Sequence, residues 1–176
     1  IGLMSIKLCQ LKGASNIIVL GTDKDEHRFP LACELGAETH FNVTQIDPVE
    51  AVMDATQGRG VDRVLATAPV RIMNQAIKMA RLGGIISYLG FEVKDTDAVI
   101  PINMNDFHFR RLQLRASYAA PATGFPLAEQ LISDQHIDPQ KFITHVRSFD
   151  QLEQTLHLVA DQSDDVVKAV TEIRPN

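Results

Sequence analysis

Apolar residues recur at three- and four-residue spacing at the start of the chain, at Ile1, Met4, Leu8 and Leu11, and then run unbroken through residues 17–20. The first pattern predicts an amphipathic helix closing at Lys12-Gly13, and the second a buried strand. Residues 26–35 predict a helix ending at Gly36. Pro30 fits it only if the helix starts near His27 or is kinked, because proline is comfortable only in a first turn. Alternation across 38–43 predicts a strand. Pro48 then opens a helix with Val49, Val52 and Met53 on its apolar face, ended by Gly58 and Gly60. Residues 61–66 predict a strand, and Ile72, Ala76 and Met79 mark a helix closed by Gly83-Gly84. A strand at 85–90 follows. Strand and helix thus alternate at the spacing of right-handed crossovers, the signature of a parallel sheet covered on both faces. Beyond Phe91 the alternation loosens. A polar loop is predicted at 92–97, an extended piece at 99–102, a last sheet strand at 112–118, and a helix bearing Leu127, Leu131 and Ile132 entered through residues 123–126. Another helix carries Phe149, Leu152, Leu156 and Val159, an acidic turn spans 161–165, and a strand closes the chain at 166–173.

At 176 residues and 45% hydrophobic, the chain can bury a sizeable core. The net charge of -5, with basic residues scattered, gives no footprint for nucleic acid or an anionic membrane. Small organic ligands are the expected partners. Two cysteines, both at apolar-facing helical positions, make neither a disulfide framework nor a metal site, and a reducing cytoplasm is the expected compartment. No apolar run approaches the roughly 20 residues that span a bilayer. The six histidines lack ligand spacing. Asp161, Asp164 and Asp165 lack the loop glycine and terminal glutamate of a calcium loop and read as a solvated turn.

The opening helix and strand read as the second half of a dinucleotide-binding unit. Gly2 takes the place of the last glycine of a G-x-G-x-x-G turn, and the amide of Leu3 at the helix start would meet the pyrophosphate. The strand feeding that turn and its first two glycines would precede residue 1, so the chain reads as a piece of a longer enzyme. The fold class expected is α/β, a Rossmann-type doubly wound parallel sheet lacking its first strand. Asp23, about 20 residues beyond the turn, is the candidate for the adenosine ribose hydroxyls. The same aspartate could instead cap the helix that follows. Arg28 is the nearby cation that could accommodate a 2′-phosphate, which Asp23 would repel; the balance favours NAD, with NADP the alternative. Thr67, Leu89, Gly90, Phe91, Ser117 and Tyr118 fall at or just beyond the C-terminal ends of expected strands, the edge where such sheets hold ligands.

Gly2-Leu3-Met4-Ser5, Glu34-Leu35-Gly36-Ala37, Gly58-Arg59-Gly60-Val61-Asp62, Arg81-Leu82-Gly83-Gly84, Ile102-Asn103-Met104-Asn105-Asp106 and Ile143-Thr144-His145, in this order, resemble the medium-chain dehydrogenases of the zinc alcohol and polyol type. The resemblance covers nearly the whole chain. It implies a cofactor domain over 1–120 and a segment over 121–176 running back toward a catalytic domain that would largely precede residue 1. The catalytic zinc, its ligands and the proton relay belong to that preceding part, so the resemblance assigns no catalytic or metal residue here. It places Thr67 beside the adenosine, and Leu89 to Phe91 with Ala116 to Tyr118 around the nicotinamide. Two departures stand out: the family's acid more commonly occupies the place of Gly21, and Thr67-Ala68-Pro69 replaces an expected Ala-Thr-Gly. His145 is implied to be a structural connector.

The activity implied is hydride transfer between a small secondary alcohol or polyol and a nicotinamide cofactor, in a homo-oligomer. The chain alone is expected to be inactive and poorly folded, or to pair its sheet edges with another copy. Two alternatives remain open: a zinc-free quinone or enoyl reductase of the same superfamily, and a non-catalytic nucleotide-binding module. A methyltransferase-like sheet fits residues 143–145 and the closing strand less well.

Overall fold

The computed structural model describes residues 1–92, 94–118, 121–162 and 165–173. Helix α1 (Gly2–Leu11) leads into strand β1 (Ile18–Gly21). A 3-10 turn (Asp23–Arg28) and helix α2 (Phe29–Glu34) return the chain to β2 (Thr39–Asn42). Pro30 therefore sits in a first helical turn, where its missing amide hydrogen has no partner to lose, and the helix expected from residue 26 starts at Phe29. Helix α3 (Pro48–Ala55) begins at Asp47, whose carboxylate accepts from the amides of Val49 at 2.8 Å and Glu50 at 3.0 Å. Then come β3 (Val61–Ala66), α4 (Met73–Met79), β4 (Ala80–Tyr88), α5 (Met104–Arg110), β5 (Gln113–Ala116), α6 (Pro121–Ser133), β6 (His145–Ser148), α7 (Leu152–Ala160) and β7 (Ala169–Glu172).

All described strand pairs are parallel. The fold class expected from the alternation holds, but the strands do not form one sheet. β1 pairs with β2, β3-β4-β5 make a second sheet in that order, and β6 pairs with β7. Among the described residues β1 and β3 are each paired on one side only. One core cluster, including Ala66, Met73, Ala76, Ile77 and Ile86, lies between α4 and the three-stranded sheet. A second joins Ile6 of α1, Ala32 and Leu35 at α2, and Phe142 from the far end of the chain. That end also meets the 3-10 turn after β1: the Val166 carbonyl accepts from Arg28, and Asp165 faces His27 at 3.6 Å.

Several local expectations are corrected. The apolar stripe of α1 is turned outward, with Ile1 78% and Met4 41% exposed, while Ile6 is the residue that enters the core. Gly83-Gly84 does not close α4; the helix ends at Met79 and both glycines lie inside β4, beside a register shift between Val61 and Arg63. Residues 123–126 belong to α6 rather than to its entrance, with Pro126 inside the helix. The last sheet strand stops at Ala116, short of Ser117 and Tyr118, and the closing strand is confined to Ala169–Glu172. Residues 95–98 of the polar region form a 3-10 turn, and the extended piece at 99–102 pairs with no strand but packs Ile100 and Ile102 on the first core. Helix α5 and strand β6 were not anticipated. The expected domain boundary at Ala120 and the aspartate at 164 lie outside the described residues. Among the described residues no helix is long and apolar enough to cross a membrane.

Candidate dinucleotide site

Parallel strands present their C-terminal ends on one side, and α1 brings its N-terminus there. The first amides of a helix have no partner within it. Here Ile1 supplies no side-chain cap, and the first turn has no acidic residue. Gly2 and half-buried Thr67, just past β3, come together: a Cβ built on Gly2 would lie 3.7 Å from the Thr67 hydroxyl, its nearest neighbour. That is ordinary contact, and Gly2 does not occupy the left-handed backbone region. Internal packing therefore does not demand a glycine at this position. Leu3 is half-buried beside it and packs on the second core.

Asp23 stands two residues past the end of β1, in the first position of the 3-10 turn. Its carboxylate accepts from Asn42 Nδ2 at 2.6 Å and from the Thr44 hydroxyl. These donors, Thr44 first and Asn42 second, hold the carboxyl below the usual range, so it is charged at neutral pH. Both bonds use Oδ1, and among the described residues Oδ2 accepts none. Asn42 also donates to Glu26 at 2.9 Å, fixing both acids from the neighbouring strand. Gly21, where the resemblance sets an acid, has no room for one: a Cβ there would approach the Phe29 ring to 2.9 Å and Asp25 Cβ to 3.0 Å.

Asp25, not Asp23, closes the capping of this turn by accepting from the Thr22 amide and hydroxyl, each at 3.0 Å. Arg28 is committed as well. Its guanidinium donates to Asp25 at 2.9 Å and to the Val166 carbonyl at 3.0 Å, on a half-buried side chain.

At the other end of the edge, the Leu89 amide donates to Ala66 O and the Ser117 amide to Tyr88 O, both at 3.0 Å, extending the ladders past β3, β4 and β5. These amides are occupied. Gly90 lies so close to the loop after β3 that a Cβ would come within 2.8 Å of Ala68 O. Phe91 and Tyr118 are 80% and 95% exposed, side chains without a packing role in this chain. Glu92 caps the same loop by accepting from the Val70 amide at 2.7 Å. Sequence reasoning missed Asn42, Thr44 and Glu92. The alternation of β2, which sets Asn42 at the strand's end beside β1, was the available signal for the first. Among the described residues no three histidine, cysteine or acidic side chains gather to hold a metal.

Comparison with known proteins bears on this edge. A family model described as zinc-binding dehydrogenase matches residues 1–134. The NADP-dependent isopropanol dehydrogenase of Clostridium beijerinckii is 30% identical over 97% of this chain and 49% of its own length. The L-threonine 3-dehydrogenase of Symbiobacterium thermophilum is 44% identical over 51% of this chain and 25% of its own. Among solved structures, the alcohol dehydrogenase TADH from Thermus sp. ATN1 superposes with a TM-score of 0.86 at 24% identity, covering 98% of this chain and 48% of that one. The chain thus spans about half the length of the curated relatives that match it end to end.

Proposed function

We propose that this chain, which belongs to the zinc-binding dehydrogenase family, is the cofactor-holding part of an NAD(P)-dependent alcohol dehydrogenase. The observation that carries the reading is Gly2. It stands at an uncapped helix start, facing Thr67, at a position where neither backbone geometry nor internal packing requires glycine. A ligand that must approach the backbone closely supplies the missing reason, and the helix dipole favours an anion such as a pyrophosphate.

The nicotinamide group, when bound, takes or gives the hydride. This chain's own residues hold and orient it. The amides of Gly2 and Leu3 receive the pyrophosphate, and Thr67 borders the adenosine side. Asp23 Oδ2 accepts from a ribose hydroxyl while Asn42 and Thr44 fix its other oxygen. The backbone of Leu89 to Phe91 and of Ser117 to Tyr118 flanks the nicotinamide, with Gly90 close against the Ala68 carbonyl. Residues 1–120 act as the cofactor unit and 121–176 as a returning segment. We assign no residue of this chain to zinc; among the described residues no three histidine, cysteine or acidic side chains gather.

NAD is favoured over NADP. A charged Asp23 opposes a 2′-phosphate, and Arg28, the cation that could receive one, already donates to Asp25 and Val166. The reaction class is hydride exchange with a secondary alcohol. Titration of the purified chain with NADH, followed by nicotinamide fluorescence, tests this reading. Gly2→Val is expected to weaken binding at least roughly tenfold, about 1.4 kcal/mol, with an unchanged circular dichroism spectrum. Equal affinity in the variant, or no binding by the parent chain, would overturn it.

A further inference from the structure

We propose that Cys33 and His40 form a nucleophilic pair that adds covalently to a small, neutral α,β-unsaturated carbonyl compound in the groove between α2 and β2. The inference goes beyond cofactor holding and does not depend on it.

Cys33 Sγ lies 3.5 Å from His40 Nδ1, and both residues are exposed. The imidazole does not swing freely. Its ring stacks on that of buried Phe29 with centroids 4.5 Å apart and planes 24° from parallel. The aromatic stack thus fixes the nitrogen that faces the sulfur. Thiol and imidazole both line one open groove of about 580 Å³. Its walls include Phe29, Pro30, Phe41 and Ile46, while Glu26 supplies a carboxylate and no lysine or arginine is among the lining residues. Apolar walls with an acid and no lysine or arginine suit a neutral electrophile better than an anionic disulfide. The chain's other thiol, Cys9, is a natural contrast: it lies half-buried on α1, where burial pushes its thiol up.

The step balances without an oxidant. His40 Nδ1 takes the thiol proton, since the thiolate is the nucleophile. The sulfur forms a bond to the β-carbon of the conjugated carbonyl, and the carbon–carbon π pair moves to the α-carbon. That carbon then takes the proton back from the imidazolium. The net result is addition of S–H across the double bond, with no leaving group.

N-ethylmaleimide, a neutral conjugated imide, is the probe. The purified chain is treated at pH 7, and adducts at the two cysteines are timed by peptide mass spectrometry. Cys33 is expected to react at least roughly tenfold faster than Cys9, and His40→Gln to slow Cys33 by roughly tenfold, short of the ~10²–10⁴-fold of a dedicated general base. The Cys9 rate should stay constant, which doubles as a check on the fold. Should His40→Gln alter Cys9, His40→Phe keeps an aromatic ring on Phe29 while removing the nitrogen, and the same slowing of Cys33 is expected. A Cys33 rate no greater than that of Cys9, or one unchanged when the imidazole is removed, would overturn the proposal.

Discussion

At the residue scale, the proposed preference for NAD rests on Asp23. Two neutral donors, Thr44 and Asn42, hold its charge in place. Asp23→Asn removes the repulsion toward a 2′-phosphate and should raise NADPH affinity relative to NADH by roughly tenfold, measured as a ratio of dissociation constants. The same carboxyl sets a pH expectation. Its folded pKa lies below the ordinary 3.8, so the charged form persists to lower pH than in the unfolded chain. Asp23 itself should therefore stay charged from about pH 8 to pH 5, so a change in discrimination across that range tracks the 2′-phosphate, whose second ionisation lies at about pH 6, and the share owed to Asp23 fades only below the ordinary carboxylate range. Asp25 obeys the same sign for stability: burial opposes its ionisation, but the Thr22 hydrogen bonds and Arg28 outweigh it. Its contribution is present above the ordinary value and lost as pH falls through the lowered one. The spacing from the glycine turn singles out Asp23 in the sequence. The neighbours that hold it were hidden, because Asn42 and Thr44 reach it across a strand pairing that spacing alone does not specify.

At the element scale, the long alternating segments were legible and the short polar ones were not. Strands β1, β3 and β4 follow from apolar stretches beside turn glycines, and β2 from alternation. Helix α5 is brief, yet Asn103 accepts from the Asn105 amide at 3.0 Å and Asp106 lies in its first turn, so capping residues carried a signal that periodicity over so few residues did not. Gly83-Gly84 looks like a helix stop in sequence, whereas here the glycines lie in an irregular stretch of β4 between its pairings of Ala80 with Val61 and Ile85 with Arg63. Gly60 makes that junction possible. It holds φ +77, and a Cβ would stand 2.6 Å from Met79 O, a backbone atom with little freedom to yield. Gly60→Ala should destabilise the chain by about 2 kcal/mol or more, read from the midpoint of urea unfolding. Gly2→Ala, with no neighbour of the new Cβ closer than 3.7 Å, should leave that midpoint nearly unchanged.

At the scale of the molecule, the β1-β2 pair and the three-stranded sheet are joined not by strand pairing but by α1, which sets Ile6 into one core and Gly2 against Thr67 beside the other. A sheet that lacks its first strand leaves two neighbouring strands with unpaired edges, and among the described residues β1 and β3 are each paired on one side only. Unpaired parallel edges and the outward stripe of α1, Ile1, Met4, Leu8 and Leu11, are features that other chains cover. The purified 176-residue chain should therefore self-associate, eluting from size exclusion above its monomer mass of 19.5 kDa in a concentration-dependent way. A monomer at all concentrations with a sharp thermal transition would contradict this. The central claim, that one edge of the fold holds a dinucleotide, is tested most directly by mapping amide NMR shifts as NADH is added. Changes concentrated at Gly2, Leu3, Asp23, Thr67, Leu89 to Phe91 and Ser117 to Tyr118 are the expected result, and changes confined to other surfaces, or none, would contradict it.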